Sequence, residues 1–247
     1  MPAVGLETRN FIPNFQTTQW SVVRQAIGND ELKASQGLEA ICNAYWQPLY
    51  TYLRRAGNKP HDAEDLVQGF FEHFIKNNIL AATDPSKGKL RHFLLACLRN
   101  HASNARDKAG AQKRGADIVT SFDAAVAEDR YQSTEVNEIS PDRLFQREWA
   151  FTMLGQAMGI LQIEFQTAGK GSLFNALRPF LGFGPDPVER YDEISAKIGI
   201  PVGTLKSHVH RMRERWKSLL FETVGNTLDN PSEEEIRQEL RDLQGYV

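Results

Sequence analysis

YDEISAKIGIPVGTLKSHVHRMRERW, from Tyr191 to Trp216, is the segment from which the architecture of this chain can be worked out. Its pattern predicts a helix, a tight turn and a second, cation-rich helix. Ile194, Ile198 and Ile200 supply apolar contacts around the turn, and Gly199 permits a backbone angle that other residues resist. Pro201 suits the first turn of the second helix, where its missing N–H does no harm. Leu205, Val209 and Met212 recur at helical spacing and face inward, which leaves Lys206, Ser207, His210, Arg211, Arg213 and Arg215 largely outward. A helix divided in this way fits the major groove of duplex DNA, its polar face reading base edges and its arginines gripping phosphates. The plainer reading is an amphipathic helix with a solvated basic face.

Working outward, the 247 residues suffice for one large or two small domains, and 41% apolar content supports real cores. The longest apolar block, FLLACL at 93–98, is too short to span a bilayer, so no membrane insertion is expected. The segment MPAVGLETRNFIPNFQ lacks the basic start and apolar block of a secretory signal. Cys42 and Cys97 sit in apolar helical patterns without metal-type spacing, which fits reduced core thiols in a cytoplasmic protein.

The net charge of −2 conceals segregation. Lys87 to Arg114 holds eight cations against Asp107 alone, and Lys206 to Lys217 holds five against Glu214. The stretch 117–148 and the tail after Glu222 are acidic. Two basic patches joined by an acidic connector suit a polyanion touched at two places.

Helical periodicity dominates, and no strand-like alternation competes with it. Leu38, Ile41, Cys42, Tyr45, Leu49, Tyr52 and Leu53 form one stripe, with a kink or break expected at Pro48. AGNKPHD reads as a loop with Asp62 as the cap of the next helix, which buries Ala63, Leu66, Val67, Phe70, Phe71, Phe74 and Ile75. After the turn TDPSKGK, a third helix turns Leu90, Phe93, Leu94, Cys97, Leu98, Ala102 and Ala105 inward. Arg99, Asn100, Asn104, Arg106 and Lys108 then stripe its other side, where amides and guanidiniums can meet unpaired base edges.

The expected class is therefore all-α, with two small helical domains joined by a flexible linker. The boundaries are an extension over 1–17, a bundle over 18–115, a linker over 116–141, a helix-turn-helix domain over 142–230 and an acidic helix or tail over 231–247. Asp62, Glu64 and Asp65, with His61, His73, His92 and His101, raise the question of catalysis or metal binding. Asp62 and Glu64 fall on different helix faces, and no histidine pair has ligand spacing, so neither an enzyme nor a metal site is expected. No Gly-rich phosphate loop is present, and no cofactor is called for.

YWQPLYTYLRRAGNKPHDAEDLVQGFFEHFI followed by LRHFLLACLRNHASNARDKAGAQKRG resembles the promoter-melting domain, region two, of bacterial RNA polymerase sigma factors. EISAKIGIPVGTLKSHVHRMRERW resembles their region four, which reads the upstream element. With these two regions alone, the chain is similar to the extracytoplasmic-function (ECF) group. EFQTAGKGSLFNALRPFLGFGPDPVER, an added helix and Pro-rich loop, resembles a subgroup with a long region four.

The resemblance implies a non-enzymatic initiation factor whose partners are core RNA polymerase and promoter DNA, both duplex and melted strand. An anti-sigma protein is a further partner of such factors. On the family pattern Asp62, Asp65 and Gln68 dock on polymerase. Lys87, Lys89, Arg91, Arg99, Asn100, Asn104, Arg106 and Lys108 engage the minus-ten element. Thr204, Lys206, Ser207, His210, Arg211 and Arg213 face the minus-thirty-five element. The added helix is expected to pack into the core, with docking of a regulator as the second alternative. The acidic tail is expected to be solvated or to compete with DNA for the recognition helix. The rival reading is a helix-turn-helix transcriptional regulator with an N-terminal sensing domain, which leaves the basic 87–114 segment beside DAEDLVQ unexplained.

Overall fold

The computed structural model describes residues 23, 26–28, 30–84, 88–108, 124–132, 139–182 and 190–247. Every regular element among them is helical, so the all-α class is the one that forms. The extension over 1–17, Lys87 and residues 183–187 of GFGPDP lie outside the described residues, as do the side chains of Arg106 and Lys108. Described residues fall into two compact units, one within 153–223 and the other within 23–152 together with 224–247.

In the larger unit, α1 (Glu31–Arg55) is capped by Asp30, whose Oδ1 accepts from the Lys33 N–H at 3.2 Å. It runs through Pro48 without the expected break. An interior proline costs about 3 kcal/mol, but Tyr45, Leu49, Tyr50 and Leu53 are all at most 1% exposed, and their burial outweighs it. Helix α2 (Pro60–Lys76) begins at Pro60, whose fixed φ and missing N–H suit the first position. Asp62 is therefore not the cap that the sequence suggested; it lies inside the first turn, facing the positive end of the helix. Phe70 packs against Phe71 and Phe74, with ring centroids 5.2 and 5.5 Å apart, and α3 (Leu90–Lys108) closes the bundle with Leu90, Leu94, Leu95 and Leu98.

The stretch expected to be only a linker contains a helix, α4 (Ala124–Gln132). It rests on α1: Arg54 and Tyr50 both bond Glu128, Gln47 Nε2 donates to the Ala127 carbonyl at 3.3 Å, and Arg54 lies over the Tyr131 ring. The opening turns of α5 (Pro141–Thr167), as far as residue 152, also group with this unit, beyond the boundary expected at 142. Leu144, Phe145 and Trp149 are buried, and the Trp149 ring stacks on Tyr45 at 4.5 Å. The last helix, α9 (Glu233–Gln244), joins the same unit rather than standing off as a tail. A reciprocal cap starts it: Ser232 Oγ accepts from the Glu235 N–H and Glu235 accepts from the Ser232 N–H. Burial pushes the Cys42 thiol up to about 12 and also raises Cys97, so both thiols stay protonated near neutrality.

The smaller unit holds the rest of α5, α6 (Gly171–Leu177), a 3-10 turn over Arg178–Leu181, α7 (Tyr191–Ile198) and most of α8 (Val202–Gly225). Its core joins Ala157 and Leu161 to Leu173, Phe174 and Leu177, and these to Ile194, Leu205, Val209 and Met212. The added helix thus fills the core, and Gly182 at φ +87° ends the turn behind it.

Candidate nucleic-acid interface

The helix-turn-helix geometry follows from two backbone facts. Gly199 ends α7 at φ +70°, in the left-handed region open to glycine, and the Pro201 carbonyl accepts from the Leu205 N–H at 3.0 Å to begin α8. Pro201 thus sits just before the first helical residue. Leu205, Val209 and Met212, each at most 2% exposed, anchor the helix on the core. Thr204, Lys206, Ser207, His210, Arg211 and Arg213 are all exposed by residue, yet they are not equivalent.

At about 100° per residue, Ser207, His210 and Arg211 lie opposite the Leu205–Met212 stripe, while Arg213 and Arg215 fall on its two flanks. The flanking pair is tied down. Arg213 donates to the Phe180 carbonyl at 2.6 Å, and Arg215 donates to Glu164 Oε1 at 2.6 Å. Both residues are exposed as the sequence suggested, but their guanidiniums are engaged within this unit. On the open face, Ser207 Oγ donates to the Gly203 carbonyl at 3.0 Å, and the Arg211 guanidinium lies 3.3 Å from His208 Nδ1. Burial, then the neighbouring Arg211 and Lys170, hold His208 below the ordinary histidine value. It therefore stays a neutral acceptor for Arg211 near neutral pH. Lys206 sits 5.8 Å from the centre of the Tyr191 ring, which holds its ammonium beside the first residue of α7.

On α2, Asp62 and Asp65 are exposed and Gln68 is half-buried. Asp65 lies 3.4 Å from His61 Nδ1, and Gln68 Nε2 donates to Glu72 Oε1 at 3.2 Å. Asp65, Gln68 and Glu72 recur at i, i+3 and i+7, so they form one polar edge on successive turns. His73 and His101 come within 5.6 Å of each other, with the Asn77 amide 2.9 Å from His73 Nδ1.

The basic segment departs most from expectation. Arg91 is only 4% exposed: its Nε donates to Gln146 Oε1 at 2.8 Å, and its Nη1 pairs with Glu239, itself 1% exposed. Lys89 pairs with the same carboxylate and lies 3.5 Å from Asp242 Oδ2. Arg99 pairs with Asp142 and donates from Nε to the Tyr52 hydroxyl at 2.9 Å, its guanidinium over that ring. Arg91 is thus a buried ion-pair partner, because it shares a stripe with Leu95, Leu98 and Ala102 at i+4, i+7 and i+11. Asn100 and Asn104 are exposed on α3 as expected. The sequence reading missed Glu239, Asp142 and Gln146. Glu239 carried a signal, since it stands between Ile236 and Leu243 on the apolar stripe of α9.

Among the described residues, no helix is long and apolar enough to cross a membrane. No curated protein matches the chain, and no solved structure matches it. Residues 41–112, from the middle of α1 through α3, do match the family model of Sigma-70 region 2. That match supports a factor of the RNA polymerase sigma-70 family, with core RNA polymerase and promoter DNA as its partners and promoter recognition and melting as its role.

Proposed function

We propose that the chain is a sigma factor of the ECF type with a long region four, in which each unit handles one part of a promoter. The polar edge Asp62, Asp65 and Gln68 on α2 docks on core polymerase. Asn100 and Asn104 on α3 meet bases as the minus-ten element opens. Thr204, Lys206, Ser207, His210 and Arg211 on α8 read the minus-thirty-five element in the major groove. Melting draws on binding energy: bases that leave the stack are held by the amides of α3, and no nucleotide needs to be hydrolysed.

The observation that carries the reading is the coexistence in one chain of a region-two match over 41–112 and an exposed Ser207–His210–Arg211 face on the second helix of a helix-turn-helix. A regulator with a sensing domain shares only the second of these. The proposal also places the factor in the cytoplasm. Its test is run-off transcription on fragmented genomic DNA with purified core polymerase. Discrete start sites that require the chain support it; a chain that neither co-elutes with core nor yields any start site overturns it.

A further inference from the structure

The C-terminal helix α9 carries five carboxylates against two arginines. Its inward side is a mixed stripe: Ile236 and Leu243 are buried, with Glu239 buried between them. A carboxylate in that position is costly unless paired, and both of its partners come from the turn and first residues of α3, Lys89 and Arg91. Asp242, one turn fraction further on, faces the same lysine. Both cations are therefore occupied by this chain's own carboxylates. Asp142 does the same for Arg99.

We infer that α9 is a built-in stand-in for DNA, which covers the basic turn at Lys89–Arg91 in the free factor and must leave it before a melted strand can be held there. The inference rests on the sigma reading above. The chemistry that displaces α9 is a single strand's phosphate backbone, a polyanion competing for the same ammonium and guanidinium. Because the pairing is charge against charge, a neutral isostere at 239 should loosen the cover while keeping the helix.

The experiment has two arms. First, Glu239→Gln in the full chain is compared with wild type for binding a short fluorescein-labelled oligothymidylate across a salt series. Freeing two cations should tighten binding by about tenfold at low salt and steepen the log–log salt slope by about one. Equal affinity and slope in a folded variant overturn the inference. Second, hydrogen exchange of residues 233–244 is followed in the wild-type chain, free and in holoenzyme on a premelted heteroduplex template. This arm decides the matter if the variant fails to fold. Loss of protection on the template supports displacement; unchanged protection with DNA bound shows that α9 is a fixed part of the fold and overturns it. If the holoenzyme binds no template at all, the sigma reading itself falls, and this inference with it.

Discussion

Arg54 holds Glu128 with two prongs, Nε to one carboxylate oxygen and Nη2 to the other, each at 2.7 Å. The Tyr50 hydroxyl donates to the same group at 2.6 Å, and both partners are mostly buried at 16% and 14% exposure. This is what fastens α4 to α1. Replacing Arg54 with Ala strands a buried carboxylate and should destabilise the larger unit by about 3 kcal/mol, measured by urea unfolding.

The same pair gives a pH signature. The Arg54 guanidinium, helped by the Tyr50 hydroxyl, holds Glu128 down to about 2 from its usual 4.5. A lowered carboxyl stabilises the fold above the unfolded value and loses that contribution as pH falls from 4.5 toward about 2. Thermal unfolding across this window should show a smaller acid loss in Glu128→Gln than in wild type. Parallel curves would remove the pair from the account of acid stability.

Arg91 and Asn100 share helix α3 but have unequal roles. Arg91→Ala leaves Glu239 and Gln146 without their buried partner and should cost about 3–5 kcal/mol of stability. Asn100→Ala, at an exposed position, should leave unfolding within about 0.5 kcal/mol of wild type while reducing open-complex formation, read by permanganate footprinting. An Arg91→Ala protein as stable as wild type would remove the buried ion pair from the account of the fold.

On α8, Arg211→Ala should weaken promoter binding by about 1–3 kcal/mol with relaxed selectivity at one base position. Arg213→Ala should instead loosen the smaller unit, since its guanidinium holds the Phe180 carbonyl. Band-shift titration beside thermal unfolding separates the two, and the opposite pattern would exchange their roles.

Asp65 and Gln68 can be changed together without touching a core. Asp65→Ala with Gln68→Ala should cut association with core polymerase in co-elution while the circular dichroism melt stays put. Undiminished association would move the docking surface off this edge of α2.

Much of this fold could be read from apolar spacing. The stripes of α2 and α8 are periodic, and a helix stop at Gly199 needs only local backbone geometry. Elsewhere local rules were overruled by distant residues. Pro48 should break a helix, but the burial of Tyr45 and Leu49 carries α1 through it. Arg91 reads as solvent-facing only while the carboxylate that covers it, more than half the chain away, is ignored. Arg213 and Arg215 look outward by residue type, whereas their acceptors on Phe180 and Glu164 come from other helices. Charged side chains were therefore the hardest to place: their partners depend on tertiary approach, which no short window contains. The polar edge of α2 and the Ser207–His210–Arg211 face were legible because both depend on spacing within one helix.

The larger unit is assembled from two separated stretches, 23–152 and 224–247. During synthesis its first stretch leaves the ribosome with Arg91 and the seat of Ile236 and Leu243 uncovered, and it stays so until residues 224–247 have been made. Closure of that unit is consequently a long-range, high-contact-order event, completed only after the whole recognition helix has already been translated.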